Sequence, residues 1–199
     1  MTQTKTNNNR WLIVRNGAIG DTLLLSSAIQ CIRRKYPDAW IEVCGIQERV
    51  ELLVGDGMAN KAISSDSCGF ETLYRIHSPL DSQLLEYFQS FDNIIYYSAS
   101  PNLQPLYDRL HVKENQRVCV YPALPKRDET SRHVIYHFLG ALNGVADLNN
   151  PPSPHISLNQ DEIEEARQFF AENNINREEE FILALHPGAG SKKKISPPD

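Results

Sequence analysis

Apolar positions along this chain come in two kinds, short continuous runs and stripes spaced by three or four residues. Residues 11–14 (Trp11, Leu12, Ile13, Val14) are a continuous run that predicts a strand covered on both faces. The turn Asn16-Gly17-Ala18-Ile19-Gly20-Asp21 follows, with glycines that permit a sharp bend. Beyond it Leu24, Ala28 and Ile32, flanked by Leu25 and Ile29, recur at helical spacing. Asp21 or Thr22 suits the N-cap, Arg33, Arg34 and Lys35 complement the dipole at the far end, and Pro37-Asp38 closes the helix. Further strands are predicted over 39–44, 61–63, 93–97 and 117–121, with helices over 49–54, 79–88 and 131–143. The stretch 101–110 is ambiguous, because Pro105 argues against a long helix.

Strands alternating with helices over the first ~145 residues predict an α/β, Rossmann-like parallel sheet with helices on both faces. Residues 1–10 are polar and read as a disordered leader without the apolar core of a secretory signal. Residues 11–146 form the predicted sheet domain, and the Pro-rich stretch 147–154 opens a linker-and-helix region running to 179. Within that region 155–158 reads as a short strand and 161–173 as a helix. Phe181-Ile182-Leu183-Ala184-Leu185 reads as a buried strand feeding a second glycine turn. A strand and a turn cannot make a domain, so 180–199 is expected to open a second α/β domain that is otherwise absent.

Charge narrows the function. With 20 basic and 25 acidic residues the chain carries −5, which argues against a dedicated nucleic-acid binder. Cys31, Cys44, Cys68 and Cys119 form no C-x-x-C, so neither a zinc ribbon nor a disulfide framework is indicated. Cys44 and Cys119 read as small core residues, and reduced thiols fit the cytoplasm. No run approaches the ~20 apolar residues of a membrane span, so any membrane contact would be peripheral.

Two turns carry candidate chemistry. The first is G-x-x-G-D, which lacks the third glycine of a dinucleotide site and puts Asp21 where a pyrophosphate would lie. A carboxylate at the rim of a cleft is better suited to take a proton from a hydroxyl nucleophile, the alternative being that Asp21 only caps the helix. The second, Gly188-Ala189-Gly190-Ser191 with Lys192, Lys193 and Lys194, offers backbone donors, a hydroxyl and cations to phosphate oxygens. Its alternative is a solvated basic turn. His133 and His137 are four apart, but Val134 stands where a metalloprotease helix would place its glutamate, so packing is favoured over metal binding.

Taken together, the chain resembles glycosyltransferase family 9, the ADP-heptose:lipopolysaccharide heptosyltransferases. The resemblance rests on 12–15 with Gly17-Ala18-Ile19-Gly20-Asp21, on Ala28-Ile29, Arg33-Arg34 and 36–39, on 49–55, on the His-led helix 133–139, and on 186–191. It implies the N-terminal half of a two-domain GT-B enzyme, with inverting, metal-independent transfer and no cofactor beyond the nucleotide-sugar co-substrate. By that resemblance Asp21 is the general base on the acceptor hydroxyl, in a loop formed by Gly17, Ala18, Ile19 and Gly20. Gly188, Ala189, Gly190, Ser191 and Lys194 would hold the donor phosphates. The donor would be a nucleotide sugar such as ADP-heptose, and the acceptor a glycolipid or glycan of the lipopolysaccharide core. The location implied is cytoplasmic, with peripheral contact at the inner membrane. One departure is that Lys194-Ile195-Ser196-Pro197 lacks the family's Trp. With most of the nucleotide-sugar domain missing, the chain as given is expected to transfer little or no sugar. Two other readings stay open: a non-catalytic saccharide- or protein-binding module on this fold, and an NAD-type dehydrogenase module.

Overall fold

The computed structural model describes residues 9–67, 69–75, 77–125, 133–176, 181–183 and 185. The expected leader and the second glycine turn therefore lie outside the described residues, apart from Asn9 and Arg10. Strands β1 (Arg10–Arg15), β2 (Trp40–Gly45), β3 (Lys61–Ser64), β4 (Asn93–Ser98) and β5 (Arg117–Pro122) form one parallel sheet. Their order is β3-β2-β1-β4-β5, so the chain winds outward one way from β1 and then crosses to the other side. Being central and covered on both faces, β1 needs apolar side chains at every interior position, which its continuous run supplies.

Period-two alternation sorts those side chains into two cores. Trp11 and Ile13, with Ile41, Val43, Ile95 and Tyr97, pack against α1 (Ile19–Lys35) and α5 (Ile135–Leu139). Leu12 and Val14, with Cys44, Ile94 and Tyr96, face α3 (Ser82–Gln89), α4 (Gln104–Leu110) and a 3-10 turn at Phe70–Tyr74. The short α2 (Gln47–Val50) runs on into a 3-10 turn at Glu51–Leu53. In α3 the Asp81 carboxylate accepts from the backbone N–H groups of Gln83 and Leu84 at 2.8 and 3.3 Å, a side-chain N-cap. The ambiguous 101–110 stretch contains α4, because Pro105 falls in its first turn, where a missing N–H loses no helical bond. The helix expected over 131–143 is shorter. Among the described residues only Ile135–Leu139 is α-helical, and Gly140–Leu142 tightens into a 3-10 turn.

Buried serines on α1 account for the course of the Pro-rich stretch. Ser27 Oγ donates to the Pro152 carbonyl at 2.6 Å, and Ser26 Oγ accepts from the His155 N–H at 3.1 Å. Arg34 adds a bond to the Asn150 carbonyl at 3.1 Å. Without these contacts α1 would bury two unpaired hydroxyls, each costing about 1–3 kcal/mol. The expected strand over 155–158 does not form, since the His155 N–H goes to a serine rather than to a ladder. Residues to Ser157 belong to the same compact unit as the sheet.

The second unit contains α6 (Gln160–Glu172), opened by a capping box in which Asn159 accepts from the Glu162 N–H and Glu162 from the Asn159 N–H. The described residues of the run 181–185 do not form the buried strand expected there. Phe181, Ile182, Leu183 and Leu185 are exposed and have no strand assignment, there being no neighbouring strand among the described residues to supply a ladder. No helix among the described residues is long and apolar enough to cross a membrane.

Candidate functional site at the carboxyl edge of the sheet

Ligands of open α/β sheets bind outside the carboxyl ends of the strands, where the strand order reverses. Here that point lies between β1 and β4. The residue that alternation places there on the α1 face is Arg15, a charge at the end of an apolar run and only 3% exposed. Its Nη2 donates to Asp21 Oδ2 at 3.0 Å, and its guanidinium lies over the Phe138 ring of α5, 5.3 Å from the centroid. Arg15 Nε is buried and makes no hydrogen bond among the described residues, so the ion pair and the ring face carry the compensation for burying this cation.

The glycine turn is shaped by Arg15. A Cβ at Gly17 would come within 3.0–3.1 Å of the guanidinium, so the small residue makes room for the side chain. Gly45, the β2 residue paired with Arg15, is confined too, its would-be Cβ running into the Arg15 carbonyl oxygen and lying 2.8 Å from Val50 Cγ1. Arg49 donates to the Gly17 carbonyl and ties the turn to α2. Gly20, expected to serve the bend, lies inside α1 with open space around it. Ala18 is the N-cap and makes no side-chain capping bond, which corrects the expectation of Asp21 or Thr22. The helix starts three to four residues earlier, with Ala18 as the last extended residue, and Thr22 Oγ1 donates back to the Ala18 carbonyl at 3.1 Å.

Asp21 therefore sits in the first turn of α1, favourable for a carboxylate, with one oxygen held by Arg15. Its side chain is 33% exposed, and Oδ1 has no hydrogen bond among the described residues. An oriented carboxylate with one oxygen tied and one open can accept a proton from a bound hydroxyl.

Across the end of β1 the other face carries a cavity of about 290 Å³ with a mixed polar and apolar lining, bordered by Asn16, Ser65, Asp66, Phe70, Glu71 and Tyr74. Tyr74 also borders a second, more apolar cavity of about 250 Å³ with Leu73, Ser100, Asn102, Pro105 and Leu106. The Tyr74 hydroxyl pairs with that of Tyr96 on β4. Burial first, and then this bond, pushes the Tyr96 phenol far above its ordinary value. Tyr97, fully enclosed on the Arg15 side, is pushed up likewise by burial, with Arg15 opposing, and donates to the Phe138 carbonyl at 2.6 Å.

Gly17, Ala18, Ile19, Gly20 and Asp21 are thus brought to one edge with Arg15. Gly188, Ala189, Gly190, Ser191 and Lys194 lie outside the described residues. His137 reaches the Pro122 carbonyl at 2.8 Å, and His133 Nδ1 accepts from the Ile135 N–H at 3.3 Å. No group of three metal-ligating side chains occurs among the described residues. Asp66, Glu71 and Tyr74 are absent from the sequence reading, because they follow β3 on turns with no periodicity. Arg15 had a signal: a charge closing a buried run, two residues before a glycine.

No protein-family model and no curated protein sequence matches the chain. Among solved structures it is similar to a glycosyl transferase family 9 protein from Veillonella parvula, with TM-score 0.58 and 13% identity over 86% of this chain and 52% of that one. It is similar also to the ADP-heptose lps heptosyltransferase II of E. coli, with TM-score 0.56 and 13% identity over 85% of this chain and 52% of that one. The chain spans about half the length of these structures and shares with them its five-stranded, Rossmann-like α/β fold.

Proposed function

We propose that the carboxyl edge of this sheet is the acceptor side of an inverting sugar transferase of the heptosyltransferase type. The observation that carries the reading is the Arg15–Asp21 pair, which orients a carboxylate at the point where the strand order reverses. The fold likeness to two glycosyltransferase structures supports it. Asp21 Oδ1 takes the proton of the acceptor hydroxyl. The acceptor oxygen attacks the anomeric carbon of a nucleotide sugar such as ADP-heptose. The bond from that carbon to the diphosphate breaks on the opposite face, and the nucleoside diphosphate leaves.

Donors aimed at the departing diphosphate must come from a second site, for which Gly188, Ala189, Gly190, Ser191 and Lys194 are the candidates in this chain. No metal or further cofactor enters this scheme. The acceptor is a glycan or glycolipid of the lipopolysaccharide-core type, met in the cytoplasm with peripheral contact at the inner membrane.

The test is Asp21→Asn in a form of the protein that includes a complete nucleotide-sugar domain. Transfer falls by about 10²–10⁴-fold while the fold survives, the range typical of losing a general base. Unchanged transfer would reduce Asp21 to a partner of Arg15. The 199-residue chain alone is expected to give little or no transfer, and ordinary turnover by it would contradict the two-domain scheme.

A further inference from the structure

We propose that the cavity between Asn16 and Tyr74 is a subsite for an uncharged sugar ring, stacked on Tyr74 and hydrogen-bonded by Asp66 and Glu71, and that it discriminates against acidic sugars. The inference rests on reading this edge as the acceptor side.

Tyr74 is 56% exposed, yet it is not a loose surface residue. Its turn is anchored by the buried Phe70 and Leu73 on either side of Thr72. Arg109 donates to the Thr72 carbonyl at 2.6 Å and to the Ser78 carbonyl at 2.9 Å, and Thr72 Oγ1 donates to the Gly69 carbonyl at 2.7 Å. The hydroxyl tie to Tyr96 fixes the ring itself. The result is a pre-positioned aromatic ring forming a wall common to two cavities, so binding need not order it. Aromatic faces are electron-rich and pack against the C–H face of a pyranose, whose hydroxyls point outward in its plane.

Those hydroxyls are donors, and the cavity offers matching acceptors. Asp66 and Glu71 are exposed carboxylates without ion-pair partners among the described residues, and Asn16 and Ser65 can both donate and accept. Hydrogen bonds from neutral hydroxyls to carboxylates are of the stronger, charge-assisted kind. The described lining has two carboxylates and no lysine, arginine or histidine. An acidic sugar would therefore meet like charge without a cation to offset it. Position is compatible: Asn16, the residue that follows β1, borders the cavity, and Asp21 lies five residues further along the chain in the first turn of α1, so both belong to the carboxyl edge of the sheet.

Calorimetric titration of the 199-residue chain with an uncharged hexose oligosaccharide, and with the same oligosaccharide bearing a uronic acid, tests this directly. The uncharged ligand binds more tightly. Tyr74→Ala weakens it by about tenfold, the scale of one aromatic contact, and Tyr74→Phe, which keeps the ring, weakens it less. The double variant Asp66→Asn, Glu71→Gln narrows the gap between the two ligands. Equal or tighter binding of the acidic ligand to the wild-type chain would overturn the subsite's selectivity while leaving an acceptor site in place. Failure of both ligands to bind would overturn the acceptor-side reading together with the subsite.

Discussion

The guanidinium of Arg15 and the carboxylate of Asp21 meet at 3.0 Å, the first buried at the end of the central strand and the second one-third exposed on the first turn of α1. The two partners stand in unequal positions. Removing the arginine leaves a carboxylate that water can reach; removing the aspartate leaves a buried cation on an aromatic ring.

That inequality predicts an order of stabilities. Asp21→Ala strands the guanidinium and should cost about 2–4 kcal/mol, reduced from the fully buried case by the exposure of the pair. Arg15→Met, which fills the same space without a charge, should cost less, within about 2 kcal/mol. Asp21→Asn keeps an acceptor oxygen and should fall between them. Urea unfolding curves of the three variants measure the order, and a neutral Asp21→Ala would show that the pair does not hold Arg15 in place.

The two glycines of the turn should respond in opposite directions. Gly17→Ala pushes a methyl to within 3.0–3.1 Å of the Arg15 guanidinium, so it should destabilise by about 1 kcal/mol and Gly17→Val by more. Gly20→Ala meets open space on the helix and should stabilise by about 0.5–1 kcal/mol. Thermal melts of both variants decide the matter; a destabilised Gly20→Ala would mean that the turn needs both glycines.

Alkaline pH should weaken the fold. Burial raises the thiols of Cys31 and Cys119 and the phenols of Tyr96 and Tyr97 above their ordinary values. The unfolded chain releases these protons first, so it binds fewer than the folded chain and stability falls as pH rises from about 9 toward 11. The urea midpoint should decline over that window. Tyrosinate absorbance should show Tyr96 and Tyr97 ionising only as the chain unfolds, and their titration in the folded protein near the ordinary tyrosine range would contradict the burial.

Elements with continuous apolar runs or helical stripes were legible in the sequence: β1, β2, β4, β5 and α6 lie where the pattern places them within a residue or two, and α1 is present but begins at least three residues before its expected start. Periodicity reports burial, and these elements are defined by burial or by an amphipathic stripe. It does not report which polar group finishes an element. The start of α1 at Ala18 and the serine contacts of 152–155 were therefore beyond its reach. The run at 181–185 shows the converse, an apolar pattern without strand pairing among the described residues. In the candidate site Asp21 was legible from its turn. Tyr74, Asp66 and Glu71 were not, because sheet topology alone brings them opposite Asn16.

On the proposed reading, the carboxyl edge around Asp21 and Tyr74 receives the acceptor sugar. Amide chemical-shift mapping of the ¹⁵N-labelled chain during titration with an uncharged oligosaccharide decides whether it does. Shifts should concentrate in the β1–α1 turn from Asn16 to Asp21 and in Ser65 to Tyr74, with α3 and the amino ends of the strands undisturbed. Shifts confined to other parts of the sheet domain, or none at saturating sugar, would contradict it.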